Sequence, residues 1–265
     1  MTSERTVEVN GLMVNYREAG DGPPLVLLHG FACDSRAWRP QLEDLADQFR
    51  VIAWDAPGAG KSSDPPPRFG TDDWAACLGG FLLALNIERA DVVGLSWGGI
   101  LAQQFYRRSP SAVRSLVLAD TYAGWKGSLP APVPEDRLRA CLRDASLPPN
   151  EFVAKYISGM FTEAVAPAVR EELSIIMSEF HPDGFRLMAR SSATADTRDV
   201  LKMITVPTQL IWGEGDARSP LSISQQFLAA IPGARLAVIT AAGHVSNLEQ
   251  PERFNNEVRR FCRSI

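Results

Sequence analysis

Apolar and polar positions along the chain follow two periods. Thr6–Val9 and Met13–Arg17 alternate weakly around Asn10-Gly11. That pair predicts a two-residue hairpin turn, because both residues tolerate positive φ. Short apolar runs follow at Leu25–Leu28, Val51–Trp54, Val92–Leu95, Ser115–Ala119, Thr208–Trp212 and Leu236–Ile239. Runs of this length predict parallel strands buried on both faces. Between them apolar residues recur at helical spacing: Trp38, Leu42 and Leu45; Trp74, Leu78, Phe81, Leu82 and Leu85; Leu101, Phe105 and Tyr106; Phe254, Val258 and Phe261. A hairpin followed by alternating strands and helices predicts an α/β fold. Its sheet should be mostly parallel, of about eight strands, with helices on both faces.

One stretch breaks the rhythm. From Trp125 to Ala195 no strand pattern occurs. Pro130, Pro132 and Pro134 open the segment, and helical patterns follow around Leu138–Leu142, Phe152–Ile157, Val169–Ile176 and Phe185–Met188. About 70 residues of helix between two strands exceed an ordinary connection. We expect a core domain of residues 1–124 and 196–265, and a helical cap (lid) domain of residues 125–195 over the C-terminal strand ends. Met160, Phe161 and Phe180 suggest an apolar pocket beneath the cap. Such residues at helical spacing more often fill the cap's own core.

Of the 265 residues, 45% are hydrophobic and 22% charged, enough apolar material for a sizeable core. No apolar run approaches membrane-spanning length. The first twenty residues are too polar for a signal peptide, and a cytoplasmic protein is expected. Lys and Arg number 27 against 31 Asp and Glu, a net charge of −4. This leaves no basic footprint for nucleic acid or an anionic membrane. Cys33, Cys77, Cys141 and Cys262 are widely spaced, so free thiols are expected and a zinc site is not. Lys61-Ser62 follows Gly58-Ala59-Gly60, but Ala56 stands where a phosphate-binding loop needs its first glycine. It reads as a turn. Neither metal nor cofactor is expected.

The chemistry centres on Gly94-Leu95-Ser96-Trp97-Gly98, a G-x-S-x-G motif between a buried strand and a helix (Ile100–Arg108). A turn this tight strains the residue at its apex and exposes its hydroxyl. The helix N-terminus there favours developing negative charge. A serine nucleophile needs a base, and the chain has three histidines. The order nucleophile, acid, histidine excludes His29. His181 lies in the cap. His244, in the loop after the last strand, is the candidate base. The acid must hold the imidazole and stabilise its cation. Asp216, in the glycine-flanked turn after Thr208–Trp212, is preferred to Asp120, which ends the earlier strand. Glu214 is expected to face solvent. The oxyanion should meet two backbone N–H groups, of Trp97 and of Phe31. His29 is expected to order the Phe31 loop without transferring protons.

These pieces, with the Asp55–Ser62 turn, resemble the α/β-hydrolase superfamily along nearly the whole chain. Val117–Thr121 and Gly243–Pro251 resemble the group of esterases and lactonases similar to 3-oxoadipate enol-lactonase. The chain departs from that group at His29-Gly30-Phe31, where those enzymes usually carry Asn-Ser, and at Ala59, where they carry His or Arg. The resemblance implies a serine hydrolase that cleaves an ester or lactone of a small, largely apolar molecule through an acyl-enzyme. Ser96 argues against the dehalogenases and epoxide hydrolases of this fold, which use aspartate at the turn. Carbon–carbon bond hydrolases and cofactor-free perhydrolases share the serine constellation, and a ligand-sensing receptor could keep the same pocket.

Overall fold

A computed structural model describes residues 2–265. Its sheet has eight strands: β1 (Ser3–Val9), β2 (Leu12–Ala19), β3 (Pro24–Leu28), β4 (Arg50–Trp54), β5 (Ala90–Leu95), β6 (Val113–Ala119), β7 (Thr208–Gly213) and β8 (Arg235–Ile239). Their spatial order is β1-β2-β4-β3-β5-β6-β7-β8. β1 and β2 form the expected hairpin, with Asn10 at φ +51° and Gly11 at φ +81°. β2 is antiparallel to β4, and every later pair is parallel.

The helices, in chain order, are α1 (Arg39–Asp44), α2 (Thr71–Ala84), α3 (Trp97–Arg108), α4 (Trp125–Ser128), α5 (Val133–Asp144), α6 (Pro149–Tyr156), α7 (Pro167–Ser178), α8 (Pro182–Thr194), α9 (Arg198–Met203), α10 (Leu221–Ala230), α11 (Ser246–Glu249) and α12 (Pro251–Cys262). α1 and α12 pack together on one side of the sheet; α2 and α3 pack together on the other, where α9 and α10 join them. Right-handed crossovers running in opposite directions from β3 produce these two layers. β5 and β7 are buried throughout, because helices cover both of their faces.

One expectation needs correction. β8 is an edge strand with Val238 exposed, not a strand buried on both faces. A short apolar run looks the same at a sheet's edge as at its centre. Helix α9 precedes β7, and α10 connects β7 to β8.

Helices α4–α8 fall between β6 and β7. The chain leaves at Gly124 and returns at Ala195, and these two points touch. The Thr197 N–H donates to the Ala123 carbonyl at 3.0 Å. Gly124 has φ +73°, and a Cβ there would lie 2.0 Å from the Ala195 carbonyl oxygen. Only glycine fits so close a crossing of two chains. α8 also packs on α2 and α3, with a Cβ on Gly184 just 2.0 Å from the Gly58 carbonyl oxygen.

Candidate active site

The sheet's connectivity places the site. From β3 the chain first crosses to β4 on one side, then to β5 on the other. Loops leaving β3 and β5 therefore diverge, and a crevice opens beyond their C-terminal ends. His29–Ala32 follows β3, and Ser96 follows β5.

Ser96 has φ +54° and ψ −117°, a conformation costly for any side chain-bearing residue. Close packing enforces it. A Cβ on Gly98 would stand 2.1 Å from the Leu28 carbonyl oxygen, and one on Gly94 2.4 Å from the Gly98 carbonyl oxygen. The strand, the turn and the neighbouring loop thus touch backbone to backbone. The Thr121 hydroxyl donates to the Ser96 carbonyl at 2.5 Å.

Ser96, His244 and Asp216 come together as a hydrogen-bonded relay. Ser96 Oγ lies 2.9 Å from His244 Nε2, and His244 Nδ1 lies 2.9 Å from Asp216 Oδ2. All three are buried. A carboxylate can only accept, so Nδ1–H donates to Asp216 and leaves Nε2 to accept from Ser96. Asp216 Oδ1 also accepts the backbone N–H groups of Arg218 (2.8 Å) and Ser219 (2.9 Å), and its Oδ2 accepts the Ser219 hydroxyl (2.5 Å). Burial works against its ionisation. Its pairing with His244, whose cation it would stabilise, and these hydrogen bonds overcome burial and hold its carboxyl below the usual aspartate range.

Asp120 is nearby but turned elsewhere. Its Oδ1 accepts the Gly213 N–H at 2.8 Å, and its Oδ2 lies 2.6 Å from Ser246 Oγ. It is fully buried at φ +46°. Burial, then the charge of Asp216, pushes its carboxyl well above the usual range. The Ser246 hydroxyl donates to Oδ2. Asp120 thereby ties β7 to the segment that follows His244, without touching the imidazole.

Among the described residues, the N–H groups of Phe31 and Trp97 make no hydrogen bond. They flank Ser96: Trp97 is its neighbour, and a Cβ on Gly30 would lie 3.3 Å from Ser96 Cβ. His29 accepts the Ala56 N–H at Nε2 (3.0 Å), so Nδ1–H donates to the Gly30 carbonyl (2.9 Å). Burial lowers its pKa, which suits a neutral ring bonded only to backbone. His181 stands apart, bonded to Asp64 and the Gly60 carbonyl. Glu214 is exposed. Lys61-Ser62 forms a turn folded on Asp55, whose carboxylate accepts the Lys61 N–H at 2.9 Å.

Ser96 and His244 open into a cavity of about 320 Å³, a size suited to a small molecule. Its lining is mostly apolar, with Phe31, Leu95, Trp125, Met160 and Val245 contributing. Phe180 stacks on Phe152 at 3.8 Å within the cap core, and Phe161 lies against Arg170. Arg137, Arg218, Lys155 and Asp144 add charge to one part of the lining. Lys155 and Asp144 pair at 2.7 Å. These residues escaped sequence reading because charge on a helix usually marks a solvated face. Ser219 and Ser246 escaped too, since a serine beside a buried carboxylate has no sequence signal. Glu249 was equally silent. It accepts the N–H groups of Gly243 (2.7 Å) and Thr162 (2.9 Å), fastening the His244 loop to the cap. Among the described residues no His, Cys, Asp and Glu cluster could hold a metal ion, and no helix is long and apolar enough to cross a membrane.

Residues 23–251 match the family of the alpha/beta hydrolase fold. The chain is 32% identical to the 2-hydroxy-6-oxononadienedioate/2-hydroxy-6-oxononatrienedioate hydrolase of Burkholderia vietnamiensis, over 95% of this chain and 91% of that one. It is 27% identical to 3-oxoadipate enol-lactonase 2 of Acinetobacter baylyi, over 96% and 94%. Among solved structures, a thermophilic esterase from Thermogutta terrifontis superposes with a TM-score of 0.91 at 28% identity. The match covers 99% of this chain and 98% of that one.

Proposed function

This chain belongs to the alpha/beta hydrolase fold family, and from that premise we propose that it is a serine hydrolase cleaving a carboxylic ester or lactone of a small molecule. One observation carries the reading: the Ser96–His244–Asp216 relay, with both links at 2.9 Å and Ser96 at a strained strand-to-helix turn. Similarity to an esterase and an enol-lactonase supports the choice of bond.

Ser96 Oγ attacks the carbonyl carbon while His244 Nε2 takes its proton. The carbonyl oxygen becomes an anion facing the N–H groups of Phe31 and Trp97, which lack other partners. Asp216 keeps the imidazole in the accepting tautomer and stabilises its cation. Collapse breaks the acyl–oxygen bond, and His244 returns the proton to the departing alkoxide. Ser96 is now acylated. Water, losing a proton to His244, attacks the acyl carbon. The acid departs as Ser96 regains the proton. Residues 125–195 act as a cap domain that shapes the substrate cavity, since α5, α6 and the segment up to Met160 supply much of its lining.

A second reading, carbon–carbon bond hydrolysis, is favoured by the 32% identical relative acting on a 2-hydroxy-6-oxo diacid. A panel of p-nitrophenyl esters, lactones and 2-hydroxy-6-oxo dienoates separates the two. Steady multiple turnover of esters or lactones, abolished by Ser96→Ala, is expected. Turnover of the dienoates alone would favour the second reading, and a single stoichiometric burst would indicate a receptor.

A further inference from the structure

Two arginines reach the cavity that holds Ser96 without an acidic partner. Arg137 comes from α5 and Arg218 from the turn that carries Asp216. Among the described residues neither forms a salt bridge. Arg137 Nη1 donates to the Tyr122 hydroxyl at 2.9 Å, and that hydroxyl donates to the Arg218 carbonyl. Arg218 Nη2 donates to the carbonyls of Tyr156 (2.5 Å) and Ser158 (3.0 Å), while its Nε is buried with no partner. The guanidiniums lie 5.6 Å and 5.9 Å from the ring centres of Tyr122 and Tyr156. These rings and carbonyls hold the two cations in place but do not neutralise them. The remaining charges of the lining, Lys155 and Asp144, cancel each other, and Asp216 is committed to His244 and Ser219. Holding two half-buried like charges side by side is costly unless an anion joins them.

We propose that Arg137 and Arg218 form a carboxylate subsite, so that the substrate is an anionic ester or lactone carrying a free carboxylate. This rests on the serine hydrolase reading of the same cavity and narrows it. Guanidinium suits such a ligand, because its planar fork matches a carboxylate and its charge persists when partly desolvated. One carboxylate can then bridge the arginine of α5 and the arginine of the Asp216 turn.

The test compares two esters of equal chain length, mono(p-nitrophenyl) adipate and p-nitrophenyl hexanoate, with wild type, Arg137→Met and Arg137→Lys. Wild type should prefer the adipate in kcat/KM. Arg137→Met should shrink that preference on the order of 10- to 100-fold, mainly through KM, with Arg137→Lys in between. In a second measurement, adipate and adipamide are titrated into the Ser96→Ala protein by calorimetry. Adipate should bind at least about tenfold more tightly, and adding Arg137→Met should remove the difference. A wild-type protein that turns over neither ester would refute the hydrolase reading alone, because the titration reads the subsite without turnover. Equal binding of adipate and adipamide, or a preference unchanged by Arg137→Met, would overturn the subsite.

Discussion

Asp216 and Asp120 end neighbouring strands, and the structure gives them different roles that mutation can separate. Asp216→Asn removes the charge opposite the imidazole. The asparagine must keep accepting the N–H groups of Arg218 and Ser219 through its oxygen. Its amide nitrogen then replaces Oδ2 and meets His244 Nδ1. A donor there demands an acceptor, so the imidazole carries its proton on Nε2, where Ser96 needs a base. The wrong tautomer and the lost charge should together cost roughly 10⁴-fold in kcat, or about 5.4 kcal/mol of barrier. Asp120→Asn differs. Its oxygen can keep the Gly213 N–H, and its amide nitrogen can donate to Ser246 Oγ once that hydroxyl rotates to accept. The loss should be about tenfold or less, through small shifts of the His244 loop. Both variants are assayed for kcat on one activated ester at pH 8, with circular dichroism to confirm folding. A dead Asp120→Asn beside an active Asp216→Asn would refute the assignment. Substantial activity in both single variants would show that either carboxylate can serve, and the double variant would then lose activity.

Other consequences follow from the same contacts. The strain at Ser96 should make Ser96→Gly more stable than Ser96→Ala by about 1 kcal/mol, with both inactive; equal midpoints in urea would contradict the strain. Asp120 binds a proton in the folded state above the ordinary aspartate range. Its contribution to stability is therefore complete below about pH 4 and is lost as pH rises. Asp120→Asn, neutral at every pH, should gain in melting temperature relative to wild type between pH 4.5 and pH 8; a constant difference would show that Asp120 is not held protonated. Replacing residues 125–195 with a relative's cap should change ester preference while a small serine-reactive phosphonate still labels Ser96. An unchanged substrate profile would exclude the cap from substrate choice.

The linear order of residues determined a good deal. The central strands β3–β7 each carry a short apolar run, because burial on two faces leaves little room for polar side chains. Asn10-Gly11 announced its hairpin through the positive φ that both residues adopt. Ser96 and His244 stood out as candidates for a chemical reason: a nucleophile elbow needs small residues at fixed offsets, and the chain has only three histidines to serve it. Tertiary structure decided what depends on neighbours distant in the chain. The glycine-flanked turn favours Asp216 over Asp120 in the sequence, but only the fold brings one of the two to the imidazole. The choice comes from β7 lying between β6 and β8, which directs one carboxylate to the imidazole and the other to Ser246. Val238 faces solvent because β8 has a partner on one side only. Arg137 and Arg218 are 81 residues apart, and each alone reads as an ordinary surface charge. Only the folding of α5 over the Asp216 turn brings the two cations into one cavity, since charge shows its cost only once water has been excluded.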